Sequence, residues 1–222
     1  ELPEGLIEDS AKWADTAIFT ISRFSAEGVD RRPQGNDYYL SDLEKELLDK
    51  LTKLFKKVVV IINSGATIDC EYFAENKKVQ GILFGWQGGM EGGLAIADLL
   101  CGDVNPSGKM VDTIAKSYDC YPCKEDFWEC FDHVDYSDDI YVGYRFFETI
   151  PGAKENVRYP FGFGLSYTKF ELSSKVCCES DGNIVAIVNV KNFGDVAGKE
   201  VVQLYYSAPQ GLLGKPSREL CA

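Results

Sequence analysis

The sequence predicts an α/β fold, with a mostly parallel sheet flanked by helices and a partial β-sandwich after it. Up to about residue 102, apolar runs typical of buried strands alternate with segments of helical periodicity. This alternation favours a parallel sheet with helices on both faces. From about residue 170 the helical periodicity is lost and short alternating strands follow, which is typical of a β-sandwich. A hydrophobic content of 45% over 222 residues is enough for a sizeable core.

The first part of the chain is predicted as alternating helices and strands. Residues 58–63 form a near-continuous β-branched run, as expected of a strand buried on both faces. Ser41 and Glu44 have the spacing of a capping box, so a helix begins there, and Gly102 is suited to end one. The full prediction is helices over 6–15, 41–55, 67–75 and 90–101, and strands over 16–22, 58–63 and 81–86.

The second part is predicted to be irregular and then all-β. Residues 116–139 are acidic and aromatic with little periodicity, which indicates a long surface loop. Residues 140–147 resume a strand-like pattern. Strands are then predicted over 170–176, 184–192 and 199–207. These are too few strands for a complete sandwich, so we expect the β domain to be incomplete in this chain.

Charge and hydropathy exclude several classes of partner. The net charge is −12, which disfavours nucleic acid and anionic membrane surfaces. The sequence has no apolar run of the roughly 18 residues that would span a membrane. Its first residues lack the basic and apolar regions of a signal peptide, although a secreted longer parent is left open.

The eight cysteines do not have the spacing of a dense disulfide framework. Cys70 and Cys101 lie in helix-like segments and are interpreted as small buried apolar residues. Cys177 and Cys178 are adjacent on a predicted strand, so they point to opposite faces and are not expected to pair. We therefore expect a reducing, cytoplasmic location.

One rim of the predicted sheet collects candidate site residues. Glu27 lies on a Gly-containing loop just after the first strand, where α/β proteins place their chemistry. Residues 63–65 and 86–89 also follow strands and belong to the same rim. Trp86 has the position to stack on a sugar ring, and a plain core tryptophan is the alternative. For Glu27, the residues alone favour a plain solvated turn over a catalytic role.

A second cluster of candidate ligands lies in the predicted surface loop. Its members are Cys120, Cys123, Cys130 and His133, the chain's one histidine. Paired cysteine and histidine spacings of this kind can hold zinc, but the span is short for two ligand pairs. Free thiols in a variable loop are the favoured interpretation, and the alternatives are zinc binding and disulfide or redox chemistry.

Five sequence blocks in order point to one family. They are residues 22–31, 104–109, 139–147, 159–167 and 194–205. Together they resemble glycoside hydrolase family 3 of the β-glucosidase type, over nearly the whole chain. The resemblance implies that residues 1–168 are the family's C-terminal α/β sandwich domain. It also implies that residues 169–222 begin its fibronectin type III-like domain.

The resemblance makes Glu27 the general acid/base of a retaining β-glycosidase, most simply a β-glucosidase. The family's nucleophile and most sugar-binding residues belong to a (β/α)8 barrel, which has no counterpart in this chain. We therefore expect the chain to act on a β-glucoside or oligosaccharide only with that barrel, to be inactive alone and to need no cofactor. A non-catalytic carbohydrate-binding or scaffold module is the alternative.

The residues around Glu27 bear on this role. Many relatives have Gly and an aromatic residue where this chain has Ala26 and Val29, changes that keep the carboxylate. Arg23 and Arg31 have positions from which they could orient Glu27. A close cation would lower the pKa of a proton donor, so Asp30 is expected to engage Arg31.

Overall fold

A computed structural model describes residues 3–24, 32–33, 36–125 and 132–222. Its centre is a three-stranded parallel sheet in the order β1-β2-β3. The strands are β1 (Thr16–Arg23), β2 (Lys57–Ser64) and β3 (Val79–Phe84), and the helices of this part are α1 (Leu6–Ser10), α2 (Asp42–Leu54), α3 (Glu71–Ala74) and α4 (Gly92–Cys101). The α/β class predicted from the sequence is confirmed.

The main core lies on one face of this sheet. In β1 every second residue is buried, including Phe19 and Ile21, whereas Ile18 on the other face is 56% exposed. The central strand β2 is buried along most of its length, as its β-branched run predicted. The core cluster also includes Leu48 of α2 and Phe73 of α3.

Helix α2 begins as predicted. The Ser41 hydroxyl accepts a hydrogen bond from the Glu44 amide, and the Glu44 carboxylate accepts one from the Ser41 amide at 2.8 Å. This reciprocal pair is the capping box, which satisfies two backbone donors that the helix itself cannot. The end of α4 is also as predicted, because Gly102 adopts a left-handed φ of 83°.

In the described part of the chain, three small antiparallel pairs of strands follow the parallel sheet. β4 (Ile114–Ala115) pairs with β5 (Val157–Tyr159), β6 (Phe170–Cys178) with β7 (Ile184–Asn192), and β8 (Tyr205–Tyr206) with β9 (Glu219–Leu220). The segment 199–207 was expected to be one strand, and only its last part is in a ladder. The described residues contain no helix long and apolar enough to cross a membrane.

The prediction of a strand over residues 140–147 is wrong. Gly143, at φ 60°, turns the chain, and Tyr144–Thr149 form helix α5. Phe147 of this helix is 2% exposed and packs with Ala115 and Ala153 in a second small core. Tertiary packing of the aromatic residues therefore decides the conformation here, and their strand-like alternation in the sequence does not.

Helix α4 differs from the prediction in its burial. None of its residues is buried, and Cys101, expected in the core, is exposed. Leu94 is 65% exposed, and Met90 just before the helix is fully exposed. An apolar helix left uncovered in this way marks a surface that another body can bury.

The blocks at residues 104–109, 159–167 and 194–205 meet in space as a joint between the α/β part and the β6–β7 pair. The Asn105 side chain donates to the Ala197 carbonyl at 3.1 Å and accepts from the Tyr167 amide at 2.8 Å. Lys109 donates to the Gly164 carbonyl at 3.0 Å and lies 2.8 Å from Glu200. These motifs therefore fix the relative placement of the two parts.

Candidate active-site rim

The carboxyl ends of the parallel strands form one rim. Arg23, the last residue of β1, is in register with Ser64, the last residue of β2. Just past β3, the Gly85 amide donates to the Ile62 carbonyl at 2.9 Å, which holds the start of the next loop beside β2. Arg23, Ser64 and Trp86 thus lie on the same edge, where open α/β sheets bind ligands.

Arg23 is the most highly bonded residue of this rim. Its guanidinium donates to both oxygens of Glu44 at 2.8 Å. It also donates to the carbonyls of Ser22 at 2.9 Å, Asp37 at 2.8 Å and Tyr39 at 3.3 Å. Five acceptors among the described residues therefore match the five N–H donors of the arginine. They join the end of β1 to residues 37–39 and to the first turn of α2.

The electrostatics of this pair keep Glu44 ionised. The Arg23 side chain is 9% exposed and that of Glu44 24%. Burial by itself would raise the pKa of Glu44, but hydrogen bonds from Arg23 and Ser41 outweigh it and hold that pKa below its ordinary value. A carboxylate held ionised in this way is unsuited to donate a proton to a leaving group. Glu44 is thus a structural anion of the rim.

Three predicted site residues, Glu27, Asp30 and Arg31, lie outside the described residues. The described chain brackets them closely, with Phe24 on one side and Arg32 on the other. The Arg32 amide donates to the Asp37 carboxylate at 2.9 Å. Because Asp37 also receives the Arg23 hydrogen bond on its carbonyl, the two chain ends that flank Glu27 are tied to one residue.

Trp86 has features of a core tryptophan and also features of a sugar-stacking residue. Its side chain is half-buried, packs against the main core and lies 5.8 Å from the Phe84 ring, measured between ring centroids. Its φ of 51° is in the left-handed region, which is rare for a bulky residue and recurs at functional sites. Because Trp86 lies on the rim, a sugar-stacking role remains a prediction for it.

The loop after Trp86 touches the loop after β2. A Cβ placed on Gly65 would lie 2.7 Å from the amide end of the Gln87 side chain, which would have to move aside. The Ser64 hydroxyl closes its own turn by donating to the Ala66 carbonyl at 2.7 Å. The two loops thereby support one another next to Arg23.

The cysteine and histidine cluster is only partly described, because Cys130 lies outside the described residues. The Cys120 thiol lies 3.2 Å from the Ser117 hydroxyl, and the His133 imidazole lies 3.9 Å from the Asp135 carboxylate. Among the described residues no three potential ligands come together as a metal site. The zinc hypothesis stays a prediction, which metal analysis of metal-replete protein would contradict at less than about 0.1 zinc per chain.

Sequence reasoning found the rim and the capping box but missed the link between them. Glu44 was assigned only its local helix cap, and Arg23 only a position from which it could orient Glu27. The signal for their pairing would have been an arginine at a strand end and a spare carboxylate oxygen in a capping box. Each of these two sequence features is common, and neither identifies a partner unless the fold is known.

Comparisons with known proteins agree with the resemblance. The Glycosyl hydrolase family 3 C-terminal domain profile matches residues 6–167. Beta-glucosidase A of Butyrivibrio fibrisolvens is 47% identical over 99% of this chain and 31% of its own length. Beta-glucosidase of Ruminococcus albus is 43% identical over 99% of this chain and 23% of its own length.

Solved structures give the same result for the fold. A β-glucosidase from Paenibacillus barengoltzii superposes with a TM-score of 0.92 at 40% identity, covering 99% of this chain and 24% of that one. Beta-glucosidase 3B from Thermotoga neapolitana in complex with glucose gives 0.87 at 40% identity, covering 100% and 32%. This chain spans about a quarter to a third of the length of these relatives. It belongs to glycoside hydrolase family 3, as a segment that contains the C-terminal domain of that family.

Proposed function

We propose that this chain is part of a retaining β-glucosidase and supplies Glu27 as its general acid/base. The observation that carries the proposal is the position of the strand end that immediately precedes Glu27 in the chain. β1 ends at Arg23, four residues before Glu27, on the rim shared by Ser64 and Trp86. The relatives named above are β-glucosidases, and one of them holds glucose.

The chemistry requires a second carboxylate from outside this chain. Retaining enzymes place two carboxyl groups about 5–5.5 Å apart across the glycosidic bond. In our proposal an aspartate of the family's barrel attacks the anomeric carbon while Glu27 protonates the leaving oxygen. Glu27, by then a carboxylate, next takes a proton from the water that releases the sugar.

The exposed helix α4 supports the need for a further part of the enzyme. Its apolar residues, Leu94 among them, are uncovered by the described chain. Because this chain is a fraction of its relatives' length, we propose that other parts of the enzyme cover this surface. The barrel is the partner that the catalytic proposal requires.

Residues 169–222 are proposed as the start of a fibronectin type III-like domain. The β6–β7 hairpin supplies nine paired positions of an antiparallel sheet, which supports this assignment. We also propose a reducing, cytoplasmic compartment. Free thiols support it at all seven cysteines that the structure describes, including the adjacent Cys177 and Cys178.

The test compares this chain alone with a reconstituted enzyme. In the reconstituted enzyme, this chain replaces the matching segment of Butyrivibrio fibrisolvens Beta-glucosidase A. We expect hydrolysis of an aryl β-glucoside by the reconstituted enzyme and none by the chain alone. Turnover by the chain alone, abolished by Glu27→Gln, would show that the active site is complete without a barrel.

Glu27→Gln in the reconstituted enzyme tests the acid/base role itself. With 2,4-dinitrophenyl β-glucoside, whose leaving group needs no proton, the variant should still form the glycosyl-enzyme and then turn over slowly. With phenyl β-glucoside, kcat/KM should fall by about 10²–10⁴-fold. Equal rates of wild type and variant on the phenyl substrate would reject Glu27. If this chain binds sugar and Glu27→Gln changes no rate of the reconstituted enzyme, the carbohydrate-binding or scaffold alternative would be favoured.

A further inference from the structure

One side chain, that of Arg23, links the described residues that flank Glu27, which are Arg23 itself on one side and residues 37–39 on the other. Arg23 precedes Glu27 in the chain, and Asp37 and Tyr39 follow it. The Arg23 guanidinium donates to the carbonyls of both following residues, at 2.8 Å and 3.3 Å. The separation between the end of β1 and residues 37–39 therefore depends on where this guanidinium is held.

Glu44 is the group that holds it. The two carboxylate oxygens of Glu44 receive parallel hydrogen bonds from Arg23, each of 2.8 Å, which fixes the plane of the guanidinium as well as its position. The same carboxylate is fixed in turn by the Ser41 amide at 2.8 Å and the Ser41 hydroxyl at 3.0 Å.

The base of this arrangement is rigid. Glu44 belongs to the first turn of α2, whose Leu48 and Leu51 are buried in the main core. The chain of contacts therefore runs from packed core to helix cap, from the cap to Arg23, and from Arg23 to residues 37–39. Side chains locked by packing and hydrogen bonds are what hold catalytic groups in place.

We infer that Glu44 is a positioning residue for catalysis, which acts through Arg23 to hold the described residues on both sides of Glu27. The inference rests on the proposed function of Glu27. Glu44 itself does not touch the substrate in this scheme. Its removal should impair the proton-transfer step more than substrate binding, because a shift of about 1 Å in a catalytic group can cost 100-fold in rate.

The test uses Glu44→Gln in the reconstituted enzyme. Glutamine can still accept from the Ser41 amide and complete a capping box, but it removes the charge that holds Arg23. A matched control is Glu71→Gln. Glu71 also forms a two-point ion pair with an arginine, Arg158, but this pair joins α3 to β5 instead of the described residues that flank Glu27.

We expect Glu44→Gln to lower kcat/KM about 10-fold on phenyl β-glucoside and less than about 2-fold on 2,4-dinitrophenyl β-glucoside. Glu71→Gln should lower the melting temperature but keep the ratio of the two rates. If Glu44→Gln fails to fold, Arg23→Lys provides the second variant, because lysine keeps the charge and loses the two-point geometry. The same loss of the phenyl rate is expected of it.

The outcomes separate this inference from the proposal on which it rests. A changed rate ratio in Glu27→Gln with an unchanged ratio in folded Glu44→Gln and Arg23→Lys would overturn the positioning role alone. An unchanged ratio in Glu27→Gln would overturn the acid/base role, and the positioning role with it. A ratio that changes equally in Glu71→Gln would show general destabilisation and would also overturn the inference.

Discussion

The Lys109 ammonium lies 2.8 Å from the Glu200 carboxylate, in a pair whose side chains are 14% and 15% exposed. Lys109 ends one sequence block typical of the family, and Glu200 lies in another. Their contact therefore shows that the joint between the α/β part and the β6–β7 pair is built by the motifs themselves. Lys109 also donates to the Gly164 carbonyl, so a third block shares the contact.

Glu200→Gln should destabilise the chain. The change leaves the Lys109 ammonium largely buried without its carboxylate, and we expect a loss of about 1–3 kcal/mol in the free energy of unfolding. Urea denaturation at pH 7 measures it. Glu171→Gln, a change at an exposed position of β6, is the control and should stay within about 0.5 kcal/mol of the wild type. A similar loss in both would contradict a specific role for the pair.

The same carboxylate predicts a pH dependence of stability. Burial tends to raise the pKa of Glu200, but the hydrogen bond from Lys109 prevails and the pKa lies below its ordinary value of 4.5. A lowered pKa contributes stability that is present above 4.5 and is lost as the pH falls through the folded-state pKa. The difference in unfolding free energy between wild type and Glu200→Gln should therefore shrink from pH 6 to about pH 3. A difference that grows in acid would contradict this sign.

Gly164→Ala should destabilise the joint through a clash with the backbone. A Cβ at Gly164 would lie 2.6 Å from the Gly108 carbonyl oxygen, which cannot move aside as a flexible side chain can. We expect a cost of about 1–3 kcal/mol by thermal or urea unfolding. The control is Gly108→Ala, because a Cβ there would have no heavy atom within 4 Å. Equal effects of the two variants would rule out the steric explanation.

Leu94→Glu should separate stability from association. Leu94 is 65% exposed on α4, so the change should alter the unfolding free energy of this chain by less than about 0.5 kcal/mol. In the reconstituted enzyme it should disrupt packing against the rest of the protein and lower the melting temperature and activity. Leu43→Glu, at a 78% exposed position of α2, makes the same change on another helix as a comparison. An unaffected reconstituted enzyme would show that α4 is not covered.

Local chemistry was sufficient for several features. The capping box at Ser41 and Glu44, the buried strand around Val60 and the terminator at Gly102 were all predicted, because each depends on residues within a few positions of one another. The parallel direction of the strands followed from the alternation of strands and helices. The family could also be identified from motifs, since their order and spacing are preserved in the chain itself.

Features that depend on distant residues were decided only by the tertiary structure. Residues 140–147 have a strand-like pattern, but Phe147 is buried with Ala115 and lies in helix α5. Arg23 and Glu44 are 21 positions apart, and Lys109 and Gly164 are 55. Pairs at such separations have no periodic signature, because the energy that joins them is gained only once the chain has closed the loop between them. The sequence therefore determined the family and the rim on which Glu27 is proposed to act, and the fold decided which charges fasten that rim.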